Sequence, residues 1–153
     1  MRVWRLVRRR RLPDAFTGEG ARLAGGRWNS SGVRVVYTSD TLALATLEYL
    51  VHTSLLHAPR EIMSIWADVP DDLPSETVAL TRLPKHWQRY DPPVEVLREF
   101  GDDWIKRGKT AVLKVPAAIV PLELNYLLNP EHAAFRRIRV GRPQPVTIDQ
   151  RLF

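Results

Sequence analysis

The sequence predicts one domain of mixed α/β (α+β) class, a mixed sheet with flanking helices, on three observations. The chain has 153 residues, enough to bury most of its unfolded surface around a single core. Short β-branched and apolar runs bounded by Gly, Pro and Ser recur along it, as strands do. Two longer segments without interior proline read as helices. No internal repeat, low-complexity tract or linker divides residues 1–153, which are therefore expected to form one unit.

Val3, Trp4 and Leu6 surround Arg5 in a first strand, ended by the arginine run and Pro13. Phe16 to Gly20 reads as loop and leads through Ala21–Ala24 to Gly25-Gly26-Arg27-Trp28-Asn29. Ser30, Ser31 and Gly32 make a turn before a strand over Val33–Thr38. Thr41 to His52 is the clearest helix, with Ser39 and Asp40 as N-caps. Leu44, Leu47, Glu48 and Val51 share helical spacing, which sets Glu48 on or beside the buried face. Ile62 to Val69 is a strand, and the Pro-rich region to Pro93 is mostly loop, with Trp87 anchoring it on the core. Val94 to Gly101 reads as a helix continuing or restarting through Ile105 and broken at Gly108. Ala111–Pro116 is a strand, Ala118–Pro121 a short extended piece, and Leu122–Leu128 precedes the restricted Asn129-Pro130. Phe135–Val140 and Pro145–Phe153 supply one or two last strands.

Composition narrows the chemistry. With no cysteine, disulfides, thiolate metal sites and a Cys nucleophile are excluded. His52, His57, His86 and His132 have no metal-ligand spacing, so no metal is expected. The N-terminal residues lack the apolar run of a signal peptide and no stretch has the length of a membrane span, so the expectation is a cytoplasmic protein. A formal charge of +6 and a pI of about 10.2 favour polyanions or phosphorylated small molecules. Arg8–Arg11 and Arg136–Arg142 carry much of that charge, yet no nucleic-acid-binding module accompanies them. Solvated faces are the simpler reading of both runs. A Gly-x-Ser-x-Gly elbow, a P-loop and a dinucleotide fingerprint are all absent.

What remains is a glycine turn carrying an anion-binding fork, Arg27, a ring at a strand end, Tyr37, and a carboxylate on the next helix, Glu48. Each also has a plainer explanation, a surface Arg, a core ring and a boundary Glu paired with an arginine.

Several motifs in order decide between these. Trp4-Arg5-Leu6, Gly25-Gly26-Arg27-Trp28-Asn29, Val36-Tyr37-Thr38-Ser39, Leu47-Glu48 with Leu50-Val51-His52, Val115-Pro116, and Asn125-Tyr126-Leu127-Leu128-Asn129-Pro130-Glu131-His132 span nearly the whole chain. Together they resemble the RES-domain toxins, which pair with Xre-type antitoxins. The resemblance implies an ADP-ribosyltransferase-like fold and NAD⁺ as substrate, cleaved at the nicotinamide–ribose bond by hydrolysis, phosphorolysis or ADP-ribosyl transfer. It also implies an oligomeric toxin–antitoxin complex that meets DNA only through the antitoxin. On this pattern Arg27, Tyr37 and Glu48 are catalytic, and Arg5, Arg27, Tyr37 and Asn125 bind NAD⁺. The family has serine where this chain has Ala117, which implies weakened activity; Ser39 offers another hydroxyl elsewhere in the chain. The alternative is a catalytically silent module that binds its antitoxin and regulates its own operon.

Overall fold

In the computed structural model, which describes residues 1–52, 61–89 and 95–152, strand β1 (Arg2–Arg8) runs through the middle of a single sheet. Val3, Leu6 and Val7 of β1 are buried, a pattern that needs cover on both sheet faces. The other strands are β2 (Val36–Ser39), β3 (Ile62–Asp68), β4 (Ser75–Thr77), β5 (Val112–Pro116), β6 (Leu124–Leu128), β7 (Arg139–Val140) and β8 (Gln144–Val146). Their order is β4-β5-β6-β2-β1-β3-β7, with β8 also on β3. Only β4 and β5 run parallel among these eight strands; the other pairs are antiparallel.

The sheet is not uniformly zipped. β1 pairs with β3 along its whole length, from Arg2↔Asp68 to Arg8↔Ile62, and β2 with β6 from Val36↔Leu128 to Ser39↔Asn125. Between β1 and β2 there is a single registered pair, Trp4↔Ser39. Past that pair the two strands part, and backbone groups on their facing edges need other partners.

Helix α2 (Leu42–Val51) packs on β1 and β2, and α3 (Glu95–Arg107) covers the opposite end of the sheet through Leu97, Trp104, Leu113, Val115 and Leu127. Trp104 is fully buried and its indole N–H donates to Thr110 Oγ1 at 3.0 Å, so the ring is both packed and satisfied.

Several expectations change. The expected Phe16–Gly20 loop ends at Gly18, because Glu19 and Gly20 already belong to a short helix, α1 (Glu19–Ala24), tied by Arg22 to Glu19. Residues 33–35 precede β2 rather than belonging to it. The cap of α2 is Thr41, whose hydroxyl accepts the Leu44 N–H at 3.0 Å, because Ser39 is still in β2. The buried face of α2 is Leu44, Ala45 and Leu50, whereas Leu47 and Val51 are exposed; the helix is apolar nearly all round, so spacing alone could not choose its inner face. Residues 118–121 form bends and turns, and residues 133–137 a 3₁₀ turn before the two-residue β7. Trp87 does anchor its loop, buried against Trp28 and Leu97. His57 and Tyr90 lie outside the described residues.

Candidate active site

The parting of β1 from β2 opens a cleft of about 940 Å³. Trp4 to Arg8 of β1 line one wall, Tyr37 to Ser39 of β2 the other, with Glu48 of α2 and the Gly25–Trp28 turn completing it. Arg5 bridges the gap, its Nη1 donating to the Tyr37 carbonyl at 2.6 Å. A side chain thus supplies the hydrogen bond that a ladder N–H would have given. Burial pushes the Arg5 guanidinium down to about 10, an effect opposed by Tyr37 and reinforced by Arg11, so it remains charged at neutral pH. Its buried Nε has no hydrogen-bond partner among the described residues, a polar group left uncompensated where the strands part.

The glycine turn is built around Asn29. Gly25, at φ 70°, ends α1 in a conformation that favours glycine, and its N–H donates to the Ala21 carbonyl. The fully buried Asn29 donates through Nδ2 to the Ala21, Ser30 and Val33 carbonyls at 3.0–3.1 Å. Its Oδ1 accepts the Tyr37 hydroxyl at 2.6 Å, and that hydroxyl accepts the Trp28 N–H at 3.1 Å. A Cβ on Gly26 would come within 2.5 Å of Tyr37 Oη, so only glycine fits beside this bond. Helix α3 fastens the turn: Arg98 donates to the Gly26 carbonyl, Asp102 accepts the Ser30 N–H, and a Cβ on Gly101 would overlap the Trp28 carbonyl. Tyr37 therefore faces the cleft with its ring while its hydroxyl is committed to the turn. Burial drives the phenol well above its usual value, so it keeps its proton.

Arg27 lines the cleft and its Nη1 donates to the Trp87 and Arg89 carbonyls at 2.9 and 3.1 Å. It thus holds the 84–89 loop at the rim as well as presenting charge. On the other wall, Asn125 Nδ2 donates to Glu48 Oε1 at 2.6 Å, and Ser39 Oγ donates to Asn125 Oδ1 at 2.7 Å. Among the described residues Glu48 is the one carboxylate lining the cleft, against six guanidinium groups from Arg5, Arg8, Arg11, Arg27, Arg89 and Arg98.

Arg5, Arg27, Tyr37, Glu48 and Asn125 thus line one cleft. Ala117 is fully buried just beyond β5 with its N–H on the Glu123 carbonyl, and it is Ala118 that reaches the wall. Sequence reasoning quoted Asn29 only as part of a motif and gave Arg98 no role. Their side chains act on carbonyls and a hydroxyl brought close by the fold, and no spacing rule signals that.

A model described as the RES domain matches residues 2–149. The chain belongs to the RES domain family. RES relatives that it resembles include the Prs ADP-ribosylating toxin of Sphingobium sp. (strain YBL2), 35% identical over 97% of this chain and 94% of that protein. Toxin Res of Yersinia enterocolitica is 33% identical over 99% of each chain. Among solved structures, the crystal structure of the M. tuberculosis MbcT–MbcA toxin–antitoxin complex contains a chain with the same fold, at a TM-score of 0.72 and 18% identity, covering 95% of this RES domain and 84% of that chain. No group of His, Asp or Glu that could hold a metal occurs among the described residues. No helix there is long and apolar enough to cross a membrane.

Proposed function

We propose that the cleft binds NAD⁺ and that Glu48 promotes cleavage of its nicotinamide–ribose bond, making the protein the toxin of a toxin–antitoxin pair. The observation that carries this reading is Glu48, held by Asn125 as the one carboxylate among the described residues of a cleft that six arginines also line. Its volume of about 940 Å³ lies near the upper end of ordinary ligand pockets, as an extended dinucleotide requires. The arginine side, Arg5 and Arg27 among it, attracts a pyrophosphate. As nicotinamide departs with the bonding electron pair, positive charge develops on the ribose, and a fixed carboxylate stabilises it without reorganising. Nicotinamide is a good leaving group, so no general acid is needed. The Tyr37 ring offers it a stacking surface. The acceptor oxygen, of water, phosphate or a protein side chain, then bonds to the ribose carbon and, where it carries a proton, releases that proton to solvent. The similarity to the Prs ADP-ribosylating toxin supports NAD⁺ chemistry.

The test is nicotinamide release from NAD⁺ by the purified protein, alone, with phosphate and with candidate acceptor proteins. Glu48→Gln is expected to lower it by about 100-fold or more, the scale of losing one charge-stabilising group. An undiminished rate in that variant would assign the activity elsewhere.

The antitoxin is taken to be Xre-type, as the family resemblance implies, and to cover the cleft in an oligomeric complex. The toxin–antitoxin complex that shares this fold supports such a partner. Relief of growth arrest on co-expression with it, and blockage of NAD⁺ turnover by it, check both statements. One observation favours a silent, antitoxin-binding protein instead: residues 117 and 118 are both alanine. Growth arrest by the toxin expressed alone would exclude that reading.

A further inference from the structure

Ser39 sits at the last position of β2, 4% exposed, on the wall of the cleft. It is opposite Asn125 in the β2–β6 register and opposite Trp4 in the single β1–β2 pair. Its backbone is therefore fixed on both sides at the point where the sheet splits. The neighbouring Thr38 hydroxyl is occupied with the Tyr126 carbonyl at 2.7 Å, leaving Ser39 alone to meet the Asn125 side chain from β2.

The chemistry of the three groups admits one arrangement. A carboxylate offers only acceptors, so Asn125 must turn its amide N–H toward Glu48. Its carbonyl then faces Ser39, and two oxygens 2.7 Å apart are compatible only if one donates. The serine hydroxyl is that donor. Were the amide turned over, its oxygen would confront Glu48 at 2.6 Å with no proton between them. The carboxylate thus sets the amide orientation, and the hydroxyl at position 39, by donating to the amide oxygen, holds the amide in it. Alanine would leave the Asn125 oxygen without this bond.

We infer that Ser39 is a positioning residue: by donating to Asn125 Oδ1 it anchors the amide that Glu48 orients, and through that amide fixes the Glu48 carboxylate against the bound ribose. This rests on the NAD⁺-cleaving reading for its consequence, though the hydrogen-bond relay is a property of the free protein. Because the Ser39 proton is committed to Asn125, this hydroxyl does not substitute for the serine that the family carries at position 117. The two positions do different things: one orients the carboxylate from behind, the other lies beyond β5.

The experiment compares the protein with Ser39→Ala, Ser39→Thr, Asn125→Ala and the Ser39→Ala/Asn125→Ala double variant. Two quantities are read, the kinetics of nicotinamide release and the NMR signals of the Asn125 side-chain amide in the free protein. Loss of one positioning hydrogen bond is expected to lower kcat of Ser39→Ala roughly 3- to 10-fold, with KM little changed because ground-state binding is not touched. The Asn125 amide signals shift in Ser39→Ala and return in Ser39→Thr, which keeps the hydroxyl, and kcat returns with them. In the Asn125→Ala background, Ser39→Ala has no further effect on kcat, since its route to Glu48 is gone.

Unchanged amide signals in Ser39→Ala would overturn the inference, as would a loss of kcat that persists undiminished without Asn125. If the parent protein releases no nicotinamide, the functional reading fails on its own, and the amide signals still decide whether Ser39 anchors Asn125.

Discussion

Replacing Tyr37 with Phe separates the two tasks that the site gives this residue. The ring stays in the cleft, while the hydroxyl that joins Asn29 to the Trp28 N–H is removed. Asn29 is 0% exposed and Trp28 2%, so water does not readily replace the lost partner. The Asn29 oxygen loses its 2.6 Å bond and the Trp28 N–H its 3.1 Å bond. Each buried group left unsatisfied costs about 1–3 kcal/mol. Partial relaxation of the turn brings the expected total to about 2–4 kcal/mol, or a fall in Tm of roughly 5–15 °C for a domain of this size. Thermal and urea unfolding measure it, with nicotinamide release followed at a temperature where the variant is still folded. The expected outcome is a clear loss of stability with kcat reduced far less than in Glu48→Gln. Full stability with abolished turnover would refute the argument, because the hydroxyl would then be serving the substrate. The same group has a pH signature. A phenol raised above its usual value gives stability that is fully present below the unfolded value of about 10 and is lost as the pH rises past it, since the unfolded chain then binds fewer protons. Alkaline destabilisation should therefore be shallower in Tyr37→Phe than in the parent.

Other substitutions probe separate joints of the structure. Gly101→Ala drives a Cβ into the Trp28 carbonyl and is expected to destabilise by about 1–3 kcal/mol or more, measured by urea unfolding, with weakened NAD⁺ turnover because the turn moves. Arg5→Ala removes a charge-assisted bond to the Tyr37 carbonyl and a cation from the cleft; KM for NAD⁺ is expected to rise roughly 10- to 100-fold, and Arg5→Lys, lacking the fork, should not restore it. Ala117→Ser returns the family hydroxyl and is expected to raise turnover by roughly one to two decades if that group acts in the transition state; comparison with Ala118→Ser, on the cleft wall, shows which position the chemistry uses.

The longer elements were legible because their residues carry a local signal. β1, β3 and β5 are apolar-rich segments bounded by turn residues, and α2 is a Leu- and Ala-rich segment free of Gly and Pro; β6, inside Leu122–Leu128, carried no such assignment. Of the short strands, β4 went unread, while β7 and β8 overlap the expected last strands Phe135–Val140 and Pro145–Phe153 but are only two and three residues long, since such pieces acquire extended form only by pairing with a neighbour. The same distinction applies to the cleft. Arg27, Tyr37 and Glu48 stood out as residue types suited to an anion, a ring and a developing cation. Asn29 and Arg98 did not, and Asn125 and Ser39 were named without the bond that joins them, because these roles lie in carbonyls and amides that only the folded chain brings within 3.2 Å. The inner face of α2 was also hidden: with Leu47 and Val51 as apolar as Leu44 and Leu50, the choice was made by the sheet against which the helix packs.

The central claim is that a cleft formed where β1 parts from β2 uses one fixed carboxylate to release nicotinamide from NAD⁺. Measuring nicotinamide and ADP-ribose products from the purified protein beside Glu48→Gln, with both shown to be folded, tests it most directly. The account predicts slow but measurable release by the parent and a rate lower by about 100-fold or more in the variant. Equal rates in the two proteins, or intact NAD⁺ with every acceptor even after Ala117→Ser, would contradict it.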